Sequence, residues 1–250
     1  MNKIITAVLM FALAAGAAAQ KAPAKKAKAA AGKKPAAAAK AKPEVAVSTK
    51  TAPAADQTRE VLEKLKAWDA ELESLKADFT QEVDFREAGM KQVIDGNLRY
   101  VRPNLLRIEH VKPARQIVVT DKQDIWIYKP EDRQAVKTRW DAWRRTQDQN
   151  FSGILDFGNY TELTARNSAA VSGGADGRPY KVTFKPRSGA AYSLTLTLSA
   201  TDYFPAEAEL AVGSTVIRTK LTNVQRNAET DKALFKFTPP KGTEVIDFKN

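Results

Sequence analysis

The chain has 250 residues, 43% of them hydrophobic, with no cysteine, a single histidine and a formal charge of +11. The missing thiols exclude disulfide frameworks, thiolate metal sites, thiol nucleophiles and a lipidated N-terminal cysteine. A lone His110 excludes multi-histidine metal sites, and no Gly-rich phosphate loop is present, so the sequence predicts neither an enzyme nor a cofactor.

Residues 1–19 read as a secretory signal. Lys3 supplies the positive n-region, Ile4–Ala15 the short apolar core, and Ala17-Ala18-Ala19 a small-residue cleavage site before Gln20. The apolar stretch is short for a membrane span. The expectation is export to a bacterial periplasm, where disulfides are permitted but not required.

Residues 20–56 are an Ala/Lys/Pro tail. Nine lysines, from Lys21 to Lys50, stand there against Glu44 and Asp56, a local +7; with Lys3 this leaves +3 for residues 57–250. Four prolines and the lack of any aromatic residue give nothing from which to build a core, so the tail reads as disordered. Either it is a solvated spacer or it is drawn to an anionic membrane or cell-wall surface. An export signal argues against any specific nucleic-acid partner.

Residues 57–250 read as one folded domain. Asp56 can cap a helix over about 57–71, in which Val61, Leu65, Trp68 and Leu72 make one apolar stripe. The period then changes to two: Leu75, Ala77, Phe79, Gln81, Val83 and Phe85 alternate with polar neighbours. Further strands are expected over 93–102, 106–110, 116–120, 125–128 and 134–140, then over 160–164, 180–185, 193–199, 207–212, 215–222 and 234–237. About a dozen strands with short connections favour an antiparallel meander that must curl. The run Ile125–Tyr128 is apolar at every position, so its parity is undefined.

Between the two groups of strands lies a helical interruption. Phe151, Ile154 and Leu155 are spaced i, i+3, i+4 after a capping Asn150, with Gly158 as a stop, and Trp140–Arg145 is amphipathic at helical spacing. Pattern alone allows a core plug or a movable lid.

Several runs carry a family resemblance. They are Leu75-Lys76-Ala77-Asp78-Phe79-Thr80-Gln81; Gly96-Asn97-Leu98-Arg99-Tyr100-Val101-Arg102-Pro103-Asn104-Leu105-Leu106; Gln116-Ile117-Val118-Val119-Thr120-Asp121 leading to Ile125-Trp126-Ile127-Tyr128-Lys129-Pro130; and Phe235-Lys236-Phe237-Thr238-Pro239-Pro240-Lys241-Gly242. In this order, from about Val61 to Asp247, the chain resembles the LolA family of periplasmic lipoprotein carriers. The resemblance implies an α+β, mainly β fold: an unclosed antiparallel barrel with an N-terminal helix and short lid helices over an apolar cavity. It assigns the arginine of the Arg-Pro pair, Arg102, to a latch that holds the lid by hydrogen bonds, here expected to reach the segment around Phe151–Phe157. The implied partners are triacylated lipoproteins, an inner-membrane ABC-type release complex and an outer-membrane acceptor, served by a monomer. Ile108 where the family often has Trp, and Asp121-Lys122-Gln123 in place of its Asp-Gly turn, are departures.

Strand parity proposes the cavity wall: Phe79 with Val83, Leu98 with Tyr100 and Arg102, Ile117 with Val119, and Phe235 with Phe237. Phe151, Ile154 and Leu155 would face it from the lid. Ordinary core packing is the alternative for each. His110 and the adjacent Glu109 point to opposite faces of a strand and make no catalytic pair, and Asp132, Asp141 and Asp148 lack a spacing suited to acid–base work. A periplasmic lipid-binding or stress-sensing module on the same fold is the second reading. Such a sensor is expected to carry a further domain, and a sequence closing at Asn250 favours the carrier.

Overall fold

The computed structural model describes residues 54–248, apart from 122, 143–156 and 190. The expected signal and nearly all of the tail therefore lie outside the described residues, as do Asp148, Phe151, Ile154 and Leu155.

The chain enters through helix α1 (Ala54–Glu71). Asp56 sits inside its first turn and accepts from Arg59, so the helix starts ahead of the expected cap. Val61, Leu65 and Leu72 are buried, as the stripe predicts.

Twelve strands follow: β1 (Ser74–Phe85), β2 (Met90–Val101), β3 (Leu105–Lys112), β4 (Gln116–Thr120), β5 (Asp124–Lys129), β6 (Gln134–Arg139), β7 (Asn167–Gly173), β8 (Tyr180–Pro186), β9 (Tyr192–Leu198), β10 (Pro205–Val212), β11 (Thr215–Arg226) and β12 (Glu244–Phe248). They form one sheet in the order β12-β6-β5-β4-β3-β2-β1-β11-β10-β9-β8-β7. The expected single meander is in fact two, β1–β6 and β7–β11, joined by the long-range antiparallel pairing of β1 with β11. The sheet does not close. Its edges are β7 and β12, and β12 runs parallel to β6.

Two expected strands are helical. Residues 160–164 belong to α2 (Tyr160–Arg166): Tyr160 and Leu163, three apart, are buried on one side, and Arg166 pairs with Glu162 one turn away. Residues 234–237 begin in a 3-10 turn, Lys232–Phe235, capped by the Asp231 carboxylate on the Ala233 N–H. Two strands lie outside the expected set, β7 and β12; their Ala, Ser, Gly and charged residues give little alternation.

The register defines two faces. Pairing of Leu75 with Tyr100, Ala77 with Leu98, Leu98 with Ile108, Ile108 with Val118 and Val118 with Ile127 carries one face across the first meander. Phe79 with Leu221, Val83 with Ile217, Ile217 with Leu210, Leu210 with Leu194 and Leu194 with Phe184 carry it across the second. This is the concave face. It packs against Val61, Leu65 and Leu72 of the α1 region and against Phe157, Tyr160 and Leu163, in one contiguous apolar cluster.

The other face of β3–β6 has its own cover. Val119 pairs with Trp126, Tyr128 pairs with Ala135, and Phe237 lies 5.4 Å from both the Trp126 and Tyr128 rings. Phe235 is 2% exposed, and the Leu234 carbonyl accepts from Arg107, which is paired with Glu109 at 2.6 Å. Ile125 and Ile127 face the concave side while Trp126 and Tyr128 face this one. Both sides of β5 are roofed, which explains a run without alternation.

Candidate functional site

Where α1 ends, its last carbonyls have no partner within the helix and carry its partial negative charge. Arg102, just past the end of β2, is placed to meet them, with its own N–H fixed to the Glu73 carbonyl at 2.8 Å. Its Nε donates to the Leu72 carbonyl at 2.9 Å, and Nη2 donates to the carbonyls of Asp69 at 2.6 Å and Ala70 at 2.8 Å. The carboxylate of Glu73 stands 3.5 Å from Nε. A rigid fork of donors suits such an array better than an ammonium would.

Asn227, beyond β11, completes the ring of contacts. Its Nδ2 donates to the Glu71 carbonyl at 3.1 Å and its Oδ1 accepts from the Glu73 N–H at 2.8 Å. The end of α1 is thus tied to both meanders, next to the β1 pairing that joins them.

The Asp69 side chain reaches the other way. It is 4% exposed; Oδ1 accepts from the Gly158 N–H at 2.6 Å and Oδ2 from the Tyr160 N–H at 3.0 Å. Burial pushes its pKa up, opposed by those two N–H groups and by the Arg102 charge. Asn159 makes no side-chain cap for α2; Asp69 supplies that acceptor from another helix. Gly158 has φ +85°, and a Cβ there would lie 2.3 Å from the Tyr100 hydroxyl oxygen, so the turn closes directly against β2. An aromatic chain continues the contact: Tyr100 to Phe157 at 6.1 Å, Phe157 to Tyr160 at 6.4 Å, Tyr160 to Trp68 at 6.3 Å and Trp68 to Phe204 at 5.3 Å between ring centroids.

Arg102 grips the end of α1, and the 157–160 turn is reached through Asp69; of the segment Phe151–Phe157 that Arg102 is expected to reach, residues 151–156 lie outside the described residues. Phe79, Val83, Leu98 and Tyr100 are buried on the concave face. Phe79 lies over Gly96, where a Cβ would come within 2.5 Å of its ring, and stands edge-on to His110 at 5.9 Å. Ile117, Val119, Phe235 and Phe237 are corrections. They belong to the opposite face, and the concave positions of β4 are Gln116, Val118 and Thr120. A strand apolar on both sides hides its parity from the sequence.

Asp69 and Asn227 are absent from the residues that the sequence singles out. Asp69 carries a signal: it stands four residues after Leu65 and three before Leu72, a charge on the inward stripe. Asn227 carries none, because its role depends on where β11 ends. His110 is buried in the concave wall, and burial lowers its pKa to about 4. Among the described residues no group of three His, Cys, Asp or Glu could hold a metal ion, and no helix is long and apolar enough to cross a membrane. A trough of about 400 Å³ on the outer side of β8–β11 and β1 is lined by polar and charged chains, including Thr80, Glu82, Thr195, Glu209, Arg218 and Lys220.

The fold and this site define a class: proteins built on one unclosed, mostly antiparallel sheet whose apolar concave face is roofed by helices. Residues 70–238 match the family model described as outer membrane lipoprotein carrier protein LolA, and the chain belongs to that family. The family is one of periplasmic lipoprotein carriers, which are non-catalytic. The outer-membrane lipoprotein carrier protein of Dechloromonas aromatica is 32% identical over 198 residues, covering 78% of this chain and 88% of that one. The protein of the same description from Neisseria meningitidis serogroup B is 25% identical over 213 residues, covering 81% and 94%. Among solved structures, an uncharacterized conserved protein from Thermus thermophilus shares the fold with a TM-score of 0.50 at 15% identity, covering 76% of this chain and 98% of that one.

Proposed function

We propose that the protein, exported by cleavage of its first 19 residues, accepts triacylated lipoproteins from an inner-membrane ABC-type complex. It shelters their acyl chains on the concave face and passes them to an outer-membrane acceptor, working as a monomer without a cofactor. The Lys-rich tail would add attraction to an anionic surface. The observation that carries the reading is the hydrogen-bonded end of α1 over an apolar sheet face: Arg102 donating to the carbonyls of Asp69 and Ala70 in the helix and of Leu72 just past it.

Energetics favour a carrier that resists its own opening. Acyl burial contributes about 0.8 kcal/mol per CH₂, so three fully sheltered chains would give on the order of 30 kcal/mol. Non-covalent complexes rarely exceed about 20 kcal/mol. Hydrogen bonds broken on loading and remade on release offset part of that excess, so cargo can leave. The role given to Phe79, Val83, Leu98 and Tyr100 is to line the acyl site once the helical roof is displaced.

The test is transfer of a synthetic triacylated lipopeptide from the purified chain to lipid vesicles. The native protein should bind and release it. Arg102→Leu should bind it at least as tightly and release it about tenfold more slowly, an effect of about 1.4 kcal/mol on the barrier. Release at the native rate overturns the role of Arg102, and recovery from the periplasm of phospholipid alone overturns the cargo.

A further inference from the structure

Among the described residues, α1 and the 157–160 turn with α2 are two separate pieces of chain over the concave face. They meet at Asp69. We propose that Asp69 is a positioning residue that makes the two pieces open as one: its carbonyl holds Arg102 while its carboxylate holds the backbone N–H groups of Gly158 and Tyr160. The functional side of this inference rests on the carrier reading above; the coupling itself does not.

The geometry is specific to a carboxylate. Each oxygen takes one N–H, at 2.6 and 3.0 Å, from residues two apart in the turn. An amide in the same place would turn its NH₂ toward one of those donors and keep one bond at most. An apolar residue would suit the inward stripe that Leu65 and Leu72 define, so packing does not call for a charge here. The charged groups around Asp69 are Arg102, from the end of β2, and beyond it Glu73, the partner of Arg102. Removing the Arg102 fork leaves the Asp69 carbonyl with only the Leu72 N–H at 3.3 Å and loosens the last turn of α1, and the carboxylate moves with that backbone. A disturbance at β2 therefore reaches Gly158 and Tyr160, to which Arg102 makes no described hydrogen bond.

Amide hydrogen exchange on the full chain tests this. Arg102→Leu should raise exchange at Gly158 and Tyr160 by about tenfold, while amides of β9 and β10 stay protected as an internal control. In an Asp69→Asn background, where exchange at both amides is already raised, adding Arg102→Leu should change it less than twofold. Unchanged exchange at 158 and 160 in Arg102→Leu overturns the coupling, as does an equal increment in both backgrounds. If Asp69→Asn does not fold, the single Arg102→Leu measurement still decides, because it needs no second variant.

The functional arm is vesicle transfer of the triacylated lipopeptide. Asp69→Asn should slow release about as much as Arg102→Leu, and the double variant should be no slower than either. Native-rate release by Asp69→Asn, or a double variant slowed by the product of the two effects, overturns the shared step. A native protein that binds no triacylated peptide refutes the carrier reading instead, and the exchange result stands on its own.

Discussion

The two faces of the same sheet are covered in different ways. On the convex side of β3–β6 the cover is packing: Phe235 is buried, Phe237 stands against Trp126 and Tyr128, and one Arg107 bond ties the strand to the covering turn. On the concave side apolar packing is supplemented by a concentrated polar joint, with the side chains of Arg102, Asp69 and Asn227 making eight hydrogen bonds between the end of α1, the start of β1, β2, β11 and the 157–160 turn. Apolar contact decays gradually as a roof lifts, whereas hydrogen bonds break within a fraction of an ångström. On the carrier reading proposed above, a cover held by such a joint has two defined states. A cover held by rings alone is a clamp.

Phe235→Ala should have the largest effect on stability, about 3–5 kcal/mol by denaturant unfolding, with lipopeptide affinity held within twofold wherever the protein is folded. A matching loss of affinity would erase the distinction between the faces. His110 comes next. Folded, its pKa is about 4 against an ordinary 6.5 because burial disfavours the charged ring. The unfolded chain takes up the proton first as pH falls, so stability is lost between about pH 6.5 and 4, by roughly 3 kcal/mol at most. His110→Gln should flatten that part of the stability–pH curve; a slope unchanged by the substitution would show that the ring is not sequestered in the concave wall.

Smaller effects separate the polar joint from ordinary surface. Gly158→Ala meets both the positive φ and the Tyr100 hydroxyl, and should cost about 1–3 kcal/mol while increasing fluorescence of an apolar dye in the empty protein. Loss of stability with no dye response would mean that the turn does not guard the concave face. Arg218→Ala removes pairs to Glu209 at 2.8 Å and Glu82 at 3.2 Å on the convex side, where the arginine side chain is 42% exposed. It should change stability by less than about 1 kcal/mol and leave dye binding alone.

Most strands are legible from alternation, since a strand with one dry face and one wet face advertises its parity. Phe79, Val83, Leu98 and Tyr100 share the face that parity predicts for that reason. Ile117 and Val119 do not, because β4 and β5 lie in the stretch of sheet covered on both sides, and there the pattern has no polar register mark. Tyr160 and Leu163 fit a helix by their spacing of three, but the adjacent Thr161 and Thr164 favour a strand; the acceptor that helps settle the matter belongs to Asp69, ninety-one residues before Tyr160.

The sequence by itself determined most of the elements: a stripe of Val61, Leu65 and Leu72, the alternating strands, and an arginine at the end of β2, each a property of residues close together in the chain. Only the tertiary structure decided what those elements meet. The pairing of β1 with β11, the second cover formed by Phe235 and Phe237, and the junction of Asp69 with Arg102 and Gly158 each join residues far apart in sequence. No local periodicity encodes such meetings, because they arise from how a twisting sheet folds its two faces under different pieces of chain.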